Sequence, residues 1–290
     1  MFTGLSLTVF LKVCNCLLKK FEMKKIGILP QRDSLLLFFM RLRLGSIFED
    51  LAERFGVSQP TATKIFQFWL PRATVALKQL VCWLPDEVIK TTMPESFQID
   101  HPNTTCIIDG TEIFIQRPIN LRARGQVFSN YKKHSTVKLL VAVAPSGYFM
   151  FVSKAFGGRA SDKFTIFSSG FMDLLKPGME VMADRGYTCH SELKAKGVKL
   201  NTPAFMRGLT QLPPTDVVRT RRIASVRIHV ERAIARLKNF RILKNTFPLK
   251  SIDSIEKIAI CCAGLSNLQP PLIQRKFNSR KKLPNFLIQR

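Results

Sequence analysis

"TTCIIDGTEIFIQRP", Thr104 to Pro118, is where the chain changes character. Upstream, apolar residues recur every three or four positions. From Thr104 onward β-branched residues crowd together, and the stretch reads as a pair of strands. Asp109 ends the run "TTCIID", and Gly110 follows it. A second apolar run, "MEVMAD", ends the same way at Asp184, with "RGY" after it. Strands followed by alternating helix and strand build an α/β layer fold. These two runs therefore set the fold class, and they raise a question: why does each end in a carboxylate?

Upstream, "SLLLFFMRLRLGS" is apolar at most positions and ends at Gly45. In "SIFEDLAERFGVSQPTATKIFQFWL", Ile47, Leu51 and Phe55 recur at helical spacing. Gly56 supplies the positive φ of a sharp turn, and Val57 a buried plug. Ser58 caps a second helix, and Pro60 is tolerated in its first turn. Ile65, Phe66 and Trp69 form that helix's apolar side. The outline is a helix-turn-helix, with an ordinary helical hairpin as the alternative. In the first reading Gln59, Thr61, Ala62, Thr63 and Lys64 lie near a DNA groove. More helix and a Pro-containing connector, "TMPESFQIDHPN", fill the segment up to residue 103.

Downstream, "STVKLLVAVAPSGYFMFVSKAFGG" reads as two strands around the turn Pro145-Ser146-Gly147. "SDKFTIFSSGFMDLL" reads as a helix capped by Ser161, and "HSELKAKG" as a short helix stopped by Gly197. "IASVRIHVERAIARLKNFRIL" reads as a long helix on which Ile223, Val226, Val230, Ile234, Leu237 and Phe240 recur.

Lys and Arg number 45 against 20 acids, a formal charge of +25. The excess is steepest in residues 201–290, with 18 basic and 4 acidic residues. That imbalance calls for a polyanionic partner, nucleic acid or an anionic membrane surface. The seven cysteines are irregularly spaced and form no CxxC, which argues against a disulfide framework or a zinc site. No apolar run reaches the roughly 18–20 residues of a membrane span. The N-terminal "MFTGLSLTVFLKVCNCLLKK" has no basic residue ahead of its apolar part and is interrupted by Lys12, so it reads as a packing helix and not as a signal sequence. The tail "RKFNSRKKLPNFLIQR" has the composition of a nuclear import signal or a nucleic-acid contact. There is no G-x-S-x-G elbow, no P-loop and no G-x-G-x-x-G.

Three acids stand out by position. Asp109 and Asp184 end predicted strands. Glu231 is the single acid between Val217 and Ile252, among ten Lys or Arg. Hard Mg²⁺ or Mn²⁺ takes oxygen ligands, and carboxylates supply them with compensating charge. Two such ions activate a nucleophilic oxygen and stabilise a leaving oxygen in phosphodiester chemistry. Surrounding cations hold the polyanion. Each acid also has a plainer reading: Asp109 as a turn residue before Gly110, Asp184 as a partner of Arg185, Glu231 as a partner of Arg227. Asp162 and Glu112 are auxiliary candidates, Asp162 also suiting a helix start. His134 and His229 read as contacts or core.

Several of these segments together resemble a known family. "IIDGTEIFIQRP", "SNYKKHSTVKLLVAVAPSG", "GGRASDK", "VMADRGY" and "RIASVRIHVERAIARLKNFRIL" are similar to the DDE endonuclease domain of PIF/Harbinger-type transposases. "FEDLAERFGVSQPTATKIFQFWL" resembles the helix-turn-helix that precedes it. The resemblance implies an α/β fold: a ribonuclease-H-like mixed sheet with flanking helices, after an all-α helix-turn-helix region. It divides the chain into a helical extension (1–32), the helix-turn-helix region (33–98), the endonuclease domain (99–272) and a basic tail (273–290). It implies that Asp109, Asp184 and Glu231 are the catalytic triad and bind a divalent metal cation, Mg²⁺ or Mn²⁺. Asp184 then stands on the strand beside Asp109, with Arg185, Gly186 and Tyr187 forming the adjoining turn. Asp162 matches a recurrent acid outside the triad, and Gly110 stands where many relatives carry cysteine. Arg227, Arg232, Arg236 and Lys238 would line the DNA path. The implied partner is DNA, with a separate DNA-binding accessory protein and a homo-oligomer as further partners, no membrane, and the nucleus as compartment. The implied activity is cleavage and joining of phosphodiester bonds. The rival readings are a captured transposase that binds DNA without cutting it, and a scaffold or membrane-surface protein using its basic face.

Overall fold

Helix α2 (Gln31–Leu44) carries Leu35, Leu37, Phe38, Phe39, Met40 and Leu42, all buried, and so presents apolar surface in most directions. Such a helix has to be surrounded. Helix α1 (Leu7–Lys20) covers one side, with the Phe10 ring edge-on to Phe39 at 5.9 Å. Helices α3 (Phe48–Phe55) and α4 (Gln59–Lys78) cover another, with Phe66 packed 5.3 Å from Phe38. The Trp69 indole N–H donates to Ser34 Oγ at 2.9 Å, satisfying two buried polar atoms. The α3–α4 junction forms as its residues require. Gly56 sits at φ 62°, and Ser58 Oγ accepts the Thr61 N–H at 3.4 Å. Helix α4 then continues through Pro71.

The computed structural model describes residues 2–21, 29–184, 186–203 and 228–272. Arg185, Arg227, the start of the long basic helix and the tail from residue 273 lie outside the described residues. Helix α5 (Asp86–Thr92) and helix α6 (Glu95–Asp100) lead into the sheet. Strand β1 (Thr104–Phe114) is one strand of 11 residues, not the expected pair. Asp109 and Gly110 do not turn the chain, because both keep their places opposite Val141 and Leu140.

Strand β3 (His134–Val143) runs antiparallel to β1, and β2 (Phe128–Ser129), β4 (Phe149–Val152) and β5 (Phe156–Gly157) all pair with β3. Strand β6 (Glu180–Met182) is parallel to β1, and β7 (Lys199–Asn201) is parallel to β6. The order is β2-β3-β1-β6-β7, a mixed sheet. The remaining helices are α7 (Leu121–Val127), α8 (Asp162–Ser168), α9 (His190–Ala195), α10 (228–238) and α11 (Ile255–Asn267). Helix α8 is shorter than its apolar pattern predicts. Gly170 at φ 81° ends that run, and a 3-10 turn at Phe171–Leu174 follows.

Both faces of the sheet are covered. Val137, Leu139, Val141 and Val143 share one core with α2, α4 and α11. Leu140, Ala142 and Ile108 share the other with Phe97, Ile166, Phe171 and Leu193. The helical region and the sheet are thus joined through a common core. Asn267 of α11 fastens the joint: its Oδ1 accepts from Phe149 N–H at 2.8 Å, and its Nδ2 donates to the Leu80 and Phe149 carbonyls at 2.8 and 3.0 Å.

Helices α4 and α11 touch closely at Gly264, where a Cβ would stand 2.7 Å from the Leu77 carbonyl oxygen. Backbone cannot swing aside as a side chain can. Gly264→Ala is therefore expected to lower stability by about 1–3 kcal/mol, read from urea unfolding. Gly125→Ala, on helix α7 with only the Arg159 guanidinium 3.9 Å away, should be neutral or stabilising in the same assay.

Candidate active site

The parallel ladder of β1 and β6 runs toward both acids, although Asp109 lies in the middle of β1 and does not end it as expected. Ile107 pairs with Met182, and two residues beyond them on each strand stand Asp109 and Asp184. Asp109 therefore stands within β1 and Asp184 just past the end of β6, both toward the same end of the ladder. The Ala183 N–H donates to the Asn201 carbonyl at 3.0 Å, extending β6 toward Asp184. The Tyr187 N–H then donates to the Asp184 carbonyl at 3.2 Å and closes a turn. Burial along β1 breaks at Asp109 and Gly110, both half-exposed in the middle of the strand. This gap opens the sheet to solvent where the acids are.

Tyr187 packs beside Gly110, close to Asp162. It is buried, and its hydroxyl oxygen stands 3.4 Å from where a Cβ of Gly110 would be. Burial pushes the hydroxyl well above its ordinary range, and Asp109, Asp162 and Asp184 push it further. It therefore stays protonated. Asp162 opens α8, as a helix-start acid should, behind the Ser161 cap. Its carboxylate also turns into the site: Oδ1 accepts from Lys138 Nζ at 3.1 Å, and Oδ2 lies 3.6 Å from the Cβ position of Gly186. Lys138 donates to the Ala160 carbonyl too, at 2.9 Å, so its ammonium is held from two sides.

Glu112 is offset from Asp109 by an odd number of residues and faces the other side of β1, where Thr136 Oγ1 donates to it at 2.7 Å. Lys238, near the end of α10, is half-buried. Burial lowers its pKa, Lys132 lowers it further, and Asp109 and Glu112 act in the opposite direction. The end of α10 is thus within electrostatic reach of Asp109 and Glu112. Glu231, at the other end of α10, is exposed. Residues 231, 234 and 238 share one stripe of the helix, with Glu231 about 10.5 Å of rise from Lys238.

Among the described residues no three His, Cys, Asp or Glu side chains converge in a metal cage. The fold brings Asp162 and Lys138 to the Tyr187 hydroxyl beside Gly110, with Asp109 and Asp184 acting on that hydroxyl through space, and Glu231 lies exposed on α10. The donors of Asp109 and Asp184 are carboxylate oxygens, the hard ligands that Mg²⁺ and Mn²⁺ take. His229 binds Ser96 Oγ through Nε2 at 3.2 Å and lies 5.7 Å from the Phe97 ring. His134 stands edge-on to Phe114 at 5.1 Å. Both are structural contacts. No helix of the described residues is long and apolar enough to cross a membrane.

Comparison with known families accounts for this arrangement. The model for DDE superfamily endonuclease matches residues 108–267, more than half of the chain, and the model for the helix-turn-helix of DDE superfamily endonuclease matches residues 28–79. The chain belongs to the DDE superfamily endonucleases. No match was found among curated proteins. The endonuclease match begins at Ile108, immediately before Asp109, and runs to Asn267 at the end of α11. It therefore takes in Asp109, Asp162, Asp184 and Glu231, all of β6, and β1 from Ile108 onward. The helix-turn-helix match covers α2, α3 and α4, and both matches imply a DNA partner.

In the helix-turn-helix, the Gln59 amide donates to Glu49, and Thr61 Oγ1 pairs with Ser58 Oγ at 2.9 Å. Thr63 Oγ1 donates back to the Gln59 carbonyl at 3.0 Å, while Lys64 is exposed. Of the cations expected along a DNA path, Arg232 is exposed and Arg236 donates to the Pro270 carbonyl at 2.7 Å. The sequence reading passed over Lys138 and took Tyr187 only as a turn residue. The signal for Lys138 was present, because a lone cation in the apolar run "TVKLLVAV" demands a buried partner.

Strand β6 is itself held by charge. Glu180 accepts from Lys199 Nζ and Asn201 Nδ2, each at 2.9 Å. Burial alone would raise its pKa, but these two bonds and the Lys199 charge outweigh it, and the folded value lies below the ordinary 4.5. The stabilisation is therefore complete above about pH 4.5 and is lost as the pH falls through the folded value. Glu180→Gln is expected to flatten the acid limb of the stability–pH curve, read by thermal melts between pH 3 and 7.

Proposed function

We propose that the protein is a metal-dependent DNA endonuclease of the PIF/Harbinger transposase type, cleaving and joining phosphodiester bonds on a ribonuclease-H-like sheet. The observation that carries this reading is the parallel pairing of β1 with β6 at Ile107 and Met182, with Asp109 two residues further along β1 and Asp184 two residues past Met182. The mixed sheet with helices on both faces supports the fold assignment. In this reading Asp109, Asp184 and Glu231 hold Mg²⁺ or Mn²⁺. The bound metal would supply Lewis-acid activation of the attacking oxygen and stabilisation of the leaving one.

The chain's own residues have distinct parts in it. Rigid strands fix Asp109 and Asp184, and Glu231 approaches from α10 along the stripe it shares with Lys238. Lys138 restrains Asp162, which keeps a third acid ordered beside the pair. The Tyr187 hydroxyl is a neutral donor close to Asp162. Lys238 and Arg232 offset phosphate charge, while the helix-turn-helix, through Gln59, Thr61, Thr63 and Lys64, engages duplex DNA. A separate DNA-binding accessory protein or a second copy of the chain would extend those contacts. DNA as substrate and the basic tail at 273–290 favour the nucleus as the working compartment.

The test is nicking of supercoiled plasmid by the purified protein in Mg²⁺, Mn²⁺ or EDTA. Nicking is expected with either metal and not in EDTA. Asp109→Ala and Asp184→Ala should each reduce it by at least about 100-fold, beyond what loss of an outer-sphere partner causes. Retained activity in Glu231→Gln would remove Glu231 from the ligand set. Salt-sensitive DNA binding with no nicking under any condition would favour the captured, non-catalytic DNA binder instead.

A further inference from the structure

The connection between β1 and β3 carries more than it needs to join two strands. From Glu112 to Asp162 the chain has no acid between them, and Arg117, Arg122, Arg124, Lys132 and Lys133 all fall on this connection. It also holds three of the most exposed large apolar side chains in the protein: Ile119 at 91%, Tyr131 at 82% and Leu121 at 77%. Scattered apolar residues are ordinary on a surface. Three of them on one short, wholly cationic connection are not.

The connection is braced. Asn120 Oδ1 caps α7, accepting from the Arg122 and Ala123 N–H groups at 2.9 and 3.1 Å. Arg124 Nε donates to the Pro118 carbonyl at 3.1 Å, fixing the turn behind Ile119. The end of α7 is pressed onto Gly158, where a Cβ would stand 2.1 Å from Thr136 Oγ1 and 2.7 Å from the Val127 carbonyl oxygen. Strands β2 and β3 pair Ser129 with His134, so residues 130–133 form a hairpin tip. Within it Lys133 is held at φ 51°, the one non-glycine residue in the left-handed region among the described residues. The Lys132 ammonium covers one face of the Tyr131 ring at 4.5 Å, leaving the other face open. Lys132 at the tip and Asp109 on β1 both act on Lys238, the last residue of α10.

We infer that this connection is a platform for unpaired DNA bases, with the open face of Tyr131 stacking on a base, Ile119 and Leu121 packing on exposed base and sugar edges, and Arg122, Lys132 and Lys133 holding phosphates. Cationic grooves with projecting aromatic rings bind single strands because every base has a π-face. Apolar wedges in the same setting hold bases out of their stack. Charge decides the occupant: a surface with no acid fits a polyanion. The inference rests on the endonuclease reading only for where the DNA lies.

The experiment is equilibrium binding of the full chain in EDTA, where cleavage plays no part. One probe is a short fluorescent duplex, and the other is the same duplex with a central unpaired bubble containing 2-aminopurine. The bubble is expected to bind about tenfold more tightly, the scale of one base–aromatic stack, with quenching of 2-aminopurine. Tyr131→Ala should abolish both the preference and the quenching and leave duplex affinity unchanged, while Tyr131→Phe keeps both. Lys132→Ala with Lys133→Ala should weaken both probes and reduce the salt slope by about 2. An unchanged bubble preference in Tyr131→Ala overturns the inference. So does a Tyr131→Ala protein that changes only its self-association in sedimentation, which would assign the patch to a second copy. Because binding is read without metal, failure of plasmid nicking leaves this result standing, and failure here leaves the endonuclease reading standing.

Discussion

The parallel ladder between β1 and β6 is the constraint on which the site depends. Two carboxylates far apart in the chain come to the same end of the ladder because Ile107 lies opposite Met182. A slip of one residue would turn Asp109 to the opposite face of the sheet. Register is fixed by burial. β1 is covered on both faces through most of its length, so shifting it would drive charge into one core and apolar side chains into the gap. The ion pair of Glu180 with Lys199 ties the outer parallel strand to the same register.

Acids gathered in a small space repel one another, and the protein manages this without removing them. Lys138 neutralises Asp162 from the next strand, Lys238 stands half-buried within electrostatic reach of Asp109, and Tyr187 remains a neutral hydroxyl. Tyr187 and Asp162 pack against Gly110 and Gly186 at distances of 3.4 to 3.8 Å from where a Cβ would stand, ordinary contact for a small side chain. A chain with an overall charge of +25 thus keeps a local negative well inside a cationic surface. That contrast suits a polyanionic strand drawn in by its phosphates and a cation drawn to the acids.

The DNA-binding helices are not a separate bead on the chain. Helix α4 runs from the turn at Ser58 to Lys78, and its far end is locked to α11 through Gly264 and to β4 through Asn267 and Leu80. One helix therefore reaches from the DNA-facing turn to the core beneath the sheet.

Much of this was legible in the sequence. The caps Ser58 and Ser161, the turn glycines Gly56 and Gly147, and the helical ends at Gly45 and Gly197 act through neighbours a few residues away, so composition and spacing reveal them. The acids Asp109 and Asp184 were visible for the same reason: each closes a local apolar run. The one-strand nature of 104–114 was not visible, because Asp109-Gly110 stays extended through its pairing with Val141 and Leu140 of β3, a strand about thirty residues away in the chain. Nor could the sequence show that Lys138 meets Asp162, that Tyr187 is buried close to Asp162, or that Glu231 stays exposed on α10. These depend on which elements pack together, and packing is decided by the whole core. By itself the sequence determined the elements, their caps and the chemistry each could carry. The tertiary structure alone decided which charges share a space, because burial and register are properties of contacts between segments distant in the chain.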